Sequence, residues 1–192
     1  MSRVSYIARE DLPEEKRPIY DQIASRRGDV ARPFQALLNS PDLAGRVAAV
    51  GEQVRFHSPA LPDEVREIAT LTTARELDCQ YEWSRHVPWA LTAGVREEVV
   101  NAIRDGTSLR GLLPKEAVFV QFTQELLRDR KVRDTTYSAV EHLLGTQGTV
   151  DLVATIGYYA LLGYMMAALE VELEPEFLPL LELPGVEFDS ST

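Results

Sequence analysis

The stretch 76-ELDCQYEWSRH-86 holds the chain's only cysteine and one of its three histidines, with a glutamate between them. Cys79, Glu82 and His86 are separated by three and four residues, which is helical spacing rather than the alternation of a strand. At ~100° per residue they lie at roughly 0°, −60° and −20° around one helix, so they share a face. Glu82 can reach His86 at i,i+4, whereas Cys79 and His86 are about 10 Å apart along the axis, too far for a direct bond. Asp78 as N-cap would put Cys79 in the first turn, where the helix dipole favours a thiolate and an ionised Glu82 opposes it.

Outward from this stretch the helical pattern continues in both directions, and strand signals are scarce. Upstream, a helix opening at Pro62 carries Val65, Ile68, Ala69 and Leu71. Before it, 39-NSPDLAGRVAAVGEQVRF-56 has Ser40 as N-cap, Pro41 at the first helical position and an apolar stripe of Leu43, Val47, Val50 and Val54. A first helix begins near Pro13, with Glu14 and Glu15 at its positive end, and stops at Gly28. Downstream, the cysteine-bearing helix ends before Gly94, and a short turn leads to another helix through Val99 and Ile103. The second half restarts at 112-LLPKEAVFVQFTQELLRDR-130, passes through 133-RDTTYSAVEHLLG-145 and ends in the apolar segment from Val150 to Leu169. Both halves open a helix after Leu-Pro, which reads as a degenerate duplication. The expectation is an all-α single domain of two related halves: residues 1–33 as a helical extension, 34–174 as the core and 175–192 as a C-terminal arm.

Composition narrows the partners. With 30 acidic and 20 basic residues the chain carries a formal charge of −10, which repels a phosphate backbone, and no basic cluster offers an exception. Nucleic acid is not expected. The apolar run near 158-YYALLGYMMAALEV-171 falls short of the ~20 residues that cross a bilayer, and the N-terminus shows no apolar signal core. The expected setting is cytoplasmic, without a membrane. A single cysteine makes no internal disulfide, so packing and association with other copies must hold the fold. No H-E-x-x-H or paired-cysteine spacing supports a metal, and no glycine-rich phosphate loop supports a nucleotide; no cofactor is expected.

The pattern Glu67, eleven residues, Cys79, two residues, Glu82, three residues, His86, followed by 90-ALTAGVREE-98, resembles the carboxymuconolactone decarboxylase and alkylhydroperoxidase D superfamily. The resemblance runs from about Pro33 to Val171 and includes 152-LVATIGYYALLGYMMAALEVEL-173. It implies an all-helical unit with the motif helix near a subunit contact, in a trimer or hexamer. The peroxidase members carry C-x-x-C; here Glu82 stands at the second cysteine position, so a sulfenic acid at Cys79 has no resolving thiol in the chain. The resemblance therefore implies the decarboxylase-like branch: cofactor-independent lyase chemistry on a small carboxylate or lactone, with glutamate and histidine handling the proton.

That chemistry needs an ionised substrate carboxylate, a site for the developing enolate and an acid that returns a proton to carbon. His86 is the acid/base candidate, since an imidazole titrates near neutral pH. Glu82 orients it or exchanges protons with it, Cys79 shares the face, and Glu67 takes part only if the "ELDC" break folds its helix back. Arg55, Arg75 and Arg85 are equal candidates for the substrate carboxylate. Trp83 and Trp89 read as core or interface aromatics, His57 as a pocket or C-cap residue and His142 as a solvated helix position. Two alternatives stay open: a one-cysteine peroxidase using an external thiol, and a non-catalytic oligomeric binding protein.

Overall fold

A computed structural model describes residues 2–181; of the C-terminal arm, residues 182–192 lie outside the described residues. Helix makes up 72% of the structure, and no strand occurs among the described residues. Eight α-helices follow in order: α1 (Arg17–Arg27), α2 (Arg32–Leu37), α3 (Pro41–Phe56), α4 (Asp63–Glu76), α5 (Gln80–Thr92), α6 (Glu97–Asp105), α7 (Pro114–Gln124) and α8 (Asp134–Leu169). The end of α7 widens into one π turn, Glu125–Asp129.

The centre of the molecule is α4, packed against α5, α6, α7 and α8. The sequence marks Val65, Ile68, Ala69 and Leu71 as its apolar positions, but every residue from Val65 to Ala74 is buried. The three threonines among them return their hydroxyls to the helix's own carbonyls, Thr70 to Arg66, Thr72 to Ile68 and Thr73 to Ala69, so none of these hydroxyls is stranded. Around α4 the core gathers Ile68, Leu71, Trp83, Ile103, Phe122 and Ile156, each worth about 1.5–3 kcal/mol of transfer free energy.

The turn between α4 and α5 decides the site. Asp78 takes a left-handed backbone conformation (φ 47°), tolerable for an aspartate because its short side chain bonds locally. Arg75 pairs with that carboxylate, and the Cys79 N–H reaches back to the Ala74 carbonyl at 2.7 Å. This reverses the chain and lays α5 along α4. The N-cap of α5 is Cys79, not Asp78. Cys79 thus stands just outside the helix with extended ψ, and the common face drawn from continuous helical spacing holds only for Glu82 and His86.

Other expectations shift for local reasons. The first helix opens as a 3-10 turn, Glu14–Lys16, before α1 begins at Arg17. In α3 the buried face is Ala44, Val47, Ala48, Gly51 and Val54, while Leu43 and Val50 are exposed, because α1 and α8 approach the face bearing small residues. The last two segments read from the sequence merge into α8, broken at Gly145, whose φ of 67° and ψ of 175° belong to a region that only glycine enters without strain. By length and composition α8 qualifies as a membrane span, against the apolar run counted from the sequence, since it reaches 36 residues. Its inward face, including Leu152, Ile156, Tyr159, Leu162 and Met166, is packed in the core. Its outward face leaves Val150, Val153, Leu161 and Tyr164 exposed.

Candidate active site

Reversal of the chain at Asp78 sets Glu67 of α4 across from His86 of α5. The Glu67 Oε2 to His86 Nδ1 distance is 2.7 Å, and on the far side of the ring His86 Nε2 lies 3.3 Å from Glu82 Oε2, one helical turn away. The three side chains are sealed: His86 is 2% exposed, Glu82 6% and Glu67 7%. Two rings clamp the imidazole edge-on, Trp89 with centroids 4.8 Å apart and Tyr159 of α8 at 5.0 Å, so its plane is fixed by packing as well as by hydrogen bonds.

Burial by itself would push the His86 pKa down. The carboxylates of Glu67 and Glu82 outweigh it, and the net effect is a pKa above the ordinary imidazole value. As an imidazolium, His86 donates Nδ1–H to Glu67 and Nε2–H to Glu82. Glu67 lies behind the ring, while His86 and Glu82 face a narrow cleft of about 50 Å³, room for one or two waters or a very small ligand before any side chain moves. The carboxylates sit on opposite sides of the ring and so diverge; among the described residues no cluster of His, Cys, Asp or Glu could hold a metal ion.

Three arginines border the cleft: Arg27 from α1, Arg55 from α3 and Arg85 from α5. Arg55 stacks over Trp89 at 4.7 Å and has no carboxylate partner among the described residues. Arg27 lies over Phe34 at 4.4 Å, reaches the Ala48 carbonyl at 3.4 Å and has no ion-pair partner among the described residues. Arg85 stands 3.9 Å from Glu174, whose other oxygen takes the Tyr81 hydroxyl at 2.6 Å. Arg27 and Arg55 thus bring fixed positive charge without an ion-pair partner among the described residues to the mouth of the cleft, which favours an anion there, while Arg85 is already paired with Glu174.

Of the arginines that spacing left equivalent, Arg75 is removed: it is spent on Asp78 and on the Arg104 carbonyl. Arg27 was missed because residues 1–33 read as an extension, yet Arg27 and Ala31 line the cleft. Trp83 is core, as expected, whereas Trp89 is 38% exposed and borders the cleft. Tyr158 and Tyr159 were also missed; the one visible signal was a pair of phenols inside an apolar helix. His57 caps the C-terminus of α3 beside Glu52, away from the cleft, and His142 is exposed.

Cys79 is not brought to this cleft. It borders a separate hollow with Leu77, Gly163 and Met166. Burial raises its thiol to a pKa of about 12, with the Glu82 charge adding to the rise and the backbone N–H groups of Glu82 and Tyr81 opposing it. The favourable helix end is present, but desolvation wins.

Residues 41–125 match the carboxymuconolactone decarboxylase family. No curated protein matches the chain. Similar solved structures include the debrominase Bmp8 in its apo form (17% identity, 90% of this chain and 92% of that one, TM-score 0.71). A cysteine-to-alanine variant of that debrominase in complex with 2,3,4-tribromopyrrole is also similar (16% identity, 91% and 93%, TM-score 0.72). A third is an uncharacterized peroxidase-related protein from Ralstonia eutropha JMP134, described as an alkylhydroperoxidase AhpD core (17% identity, 91% and 93%, TM-score 0.74). At such identities the structural likeness is one of fold. The family match, which covers residues 41–125, spans Glu67, Cys79, Glu82 and His86 together, and over most of its length the chain has a fold similar to that of an alkylhydroperoxidase AhpD core.

Proposed function

We propose that the protein is a cofactor-independent lyase of the carboxymuconolactone decarboxylase type, acting on a small carboxylate or lactone. The observation that carries this reading is a buried imidazole held between Glu67 and Glu82 at the floor of a cleft bordered by three arginines. In the reaction the bond from carbon to the departing carboxylate breaks, CO2 leaves, and the electron pair is taken up by a conjugated carbonyl as an enolate. His86 then delivers its Nε2 proton to carbon. Glu67, behind the ring, positions the imidazole and keeps Nδ1 protonated; Glu82 shares the proton at the reacting face.

An arginine bonded to the departing carboxylate would stabilise the ground state and slow the step. The arginines suit instead a second, retained anionic group, with the departing carboxylate on the side of Leu162. Against the one-cysteine peroxidase reading stands a thiol whose pKa is about 12 and which borders a different hollow. The exposed face of α8 supports the expectation of a homo-oligomer, a trimer or hexamer, which sedimentation velocity would reveal as a species well above 21.5 kDa.

The test is a panel of lactone, 2-oxo and 3-oxo carboxylates with CO2 release as readout, and 2,3,4-tribromopyrrole with bromide release and added thiol. CO2 release lost in His86→Ala and kept in Cys79→Ser is the expected result. Peroxide or bromopyrrole turnover that depends on Cys79 would replace this reading with thiol chemistry.

A further inference from the structure

Tyr159 projects from α8 into the cleft beside His86. Its hydroxyl is buried and has no hydrogen-bond partner among the described residues. A phenol in that state is costly to keep, because its O–H was hydrogen-bonded in water and gains nothing in the fold. The cost is avoidable by a single phenylalanine, so the hydroxyl asks for a ligand. Its place is well defined: the ring meets His86 edge-on at 5.0 Å and Tyr158 at 5.2 Å. The neighbouring Tyr158 is different. Its hydroxyl is also without a partner, but it is wedged against Gly51, where a Cβ would meet it at 2.1 Å and Arg27 Nη2 at 2.7 Å, so its position serves close packing of α3 on α8.

We propose that Tyr159 is a catalytic hydrogen-bond donor whose hydroxyl receives the oxyanion formed on the substrate's carbonyl oxygen while His86 protonates carbon. The inference rests on the acid-base reading of the cleft and narrows its substrate class to small acids that pair a retained anionic group with a carbonyl oxygen able to take up charge. The electron pair released with CO2 moves onto that oxygen as C=C–O⁻, held by the phenol. When the imidazolium proton reaches carbon, C=O re-forms and the bond to Tyr159 relaxes. Only a donor serves here. Burial, outweighing the nearby Arg55 charge, raises the Tyr159 pKa well above the phenol range and keeps the O–H intact.

The test uses oxalate, a planar dianion that resembles a carboxylate joined to an enolate oxygen, and propionate, which offers the carboxylate alone; binding to the full chain is followed by calorimetry. Tyr159→Phe should weaken oxalate by about tenfold or more, the scale of one charge-assisted hydrogen bond. Propionate should change less than about twofold, and Tm should stay level or rise because a stranded hydroxyl is gone. Replacing Tyr159 with 2,3-difluorotyrosine, which keeps the ring and has a more acidic O–H, should tighten oxalate and covers the case in which Tyr159→Phe folds poorly. Unchanged oxalate affinity in Tyr159→Phe, an equal loss for both ligands, or no oxalate binding by the unaltered protein at millimolar concentration overturns the inference. The oxalate discrimination without CO2 release from any acid of the panel keeps Tyr159 as an oxyanion donor and removes the decarboxylase reading. CO2 release at full kcat in Tyr159→Phe does the reverse.

Discussion

Glu67 and Glu125 are both sealed carboxylates, 7% and 5% exposed, one from α4 and one from the π turn that ends α7. Their partners differ. Glu125 accepts from Arg133 through both guanidinium and backbone, from Gln121 at 2.8 Å and from Thr136 at 3.0 Å, so both of its oxygens are held by groups that keep their protons at neutral pH. Burial alone would raise its pKa, but Arg133 and these donors bring it down to about 2. Glu67 shares an imidazole with a second carboxylate beside a cleft. A carboxylate answered by arginine and amides is a fixed strut, whereas one answered by histidine belongs to a group that exchanges a proton.

The largest effect should come from breaking the exchanging side. His86→Ala and Glu82→Gln should each lower turnover on an accepted substrate by about 10² or more, read as kcat in steady-state assays. Little loss in either variant would make the two regions alike. Glu67→Gln sharpens the comparison. Losing the carboxylate behind the ring lowers the His86 pKa, so the alkaline limb of the rate profile should move to lower pH. The linked stability has a defined sign. Because the folded pKa is raised, the Glu67–His86 contribution is complete below about pH 6.5 and is lost as pH rises through the folded value. Chemical denaturation across that range should show the loss in the unaltered protein and a flatter curve in Glu67→Gln.

On the strut side, Glu125→Ala should leave kcat per folded molecule unchanged and cost about 1–3 kcal/mol in denaturant unfolding, as the Thr136 hydroxyl and the Arg133 N–H lose their acceptor. For a depressed pKa the stability is present above the unfolded carboxylate value and disappears as pH falls toward about 2, so the variant and the parent should converge in acid. The smallest effect is expected at Cys79. Cys79→Ser should keep activity within about twofold, and the native thiol should react with iodoacetamide at pH 8 far more slowly than the denatured chain does.

Much of this was visible before any coordinates. Helical spacing, Pro41 after Ser40, Gly28 after Arg27 and the scarcity of alternation are local signals, and local signals fix helices: α3 begins at Pro41 and α1 ends at Arg27. Glu82 and His86 were legible as a pair for the same reason, since i,i+4 contact is a property of one helix. Asp78 was misread as the cap because propensity favours aspartate there; the α4–α5 reversal needed it one position earlier, in a left-handed turn. Cys79 was drawn toward His86 only by assuming a helix that had not yet begun.

What the sequence by itself determined, then, is the class of the fold, the helix ends and the Glu82–His86 pair, all set by interactions between residues a few positions apart. Only the tertiary structure decided that Glu67 closes on His86 across nineteen positions of chain, that Arg27 and Arg55 converge with Arg85, that Tyr159 faces the imidazole and that Cys79 does not. Those are meetings of α1, α3, α4, α5 and α8. Their physical cause is the packing of apolar faces around α4, which rotates each polar side chain to a direction that its own neighbours in sequence do not specify.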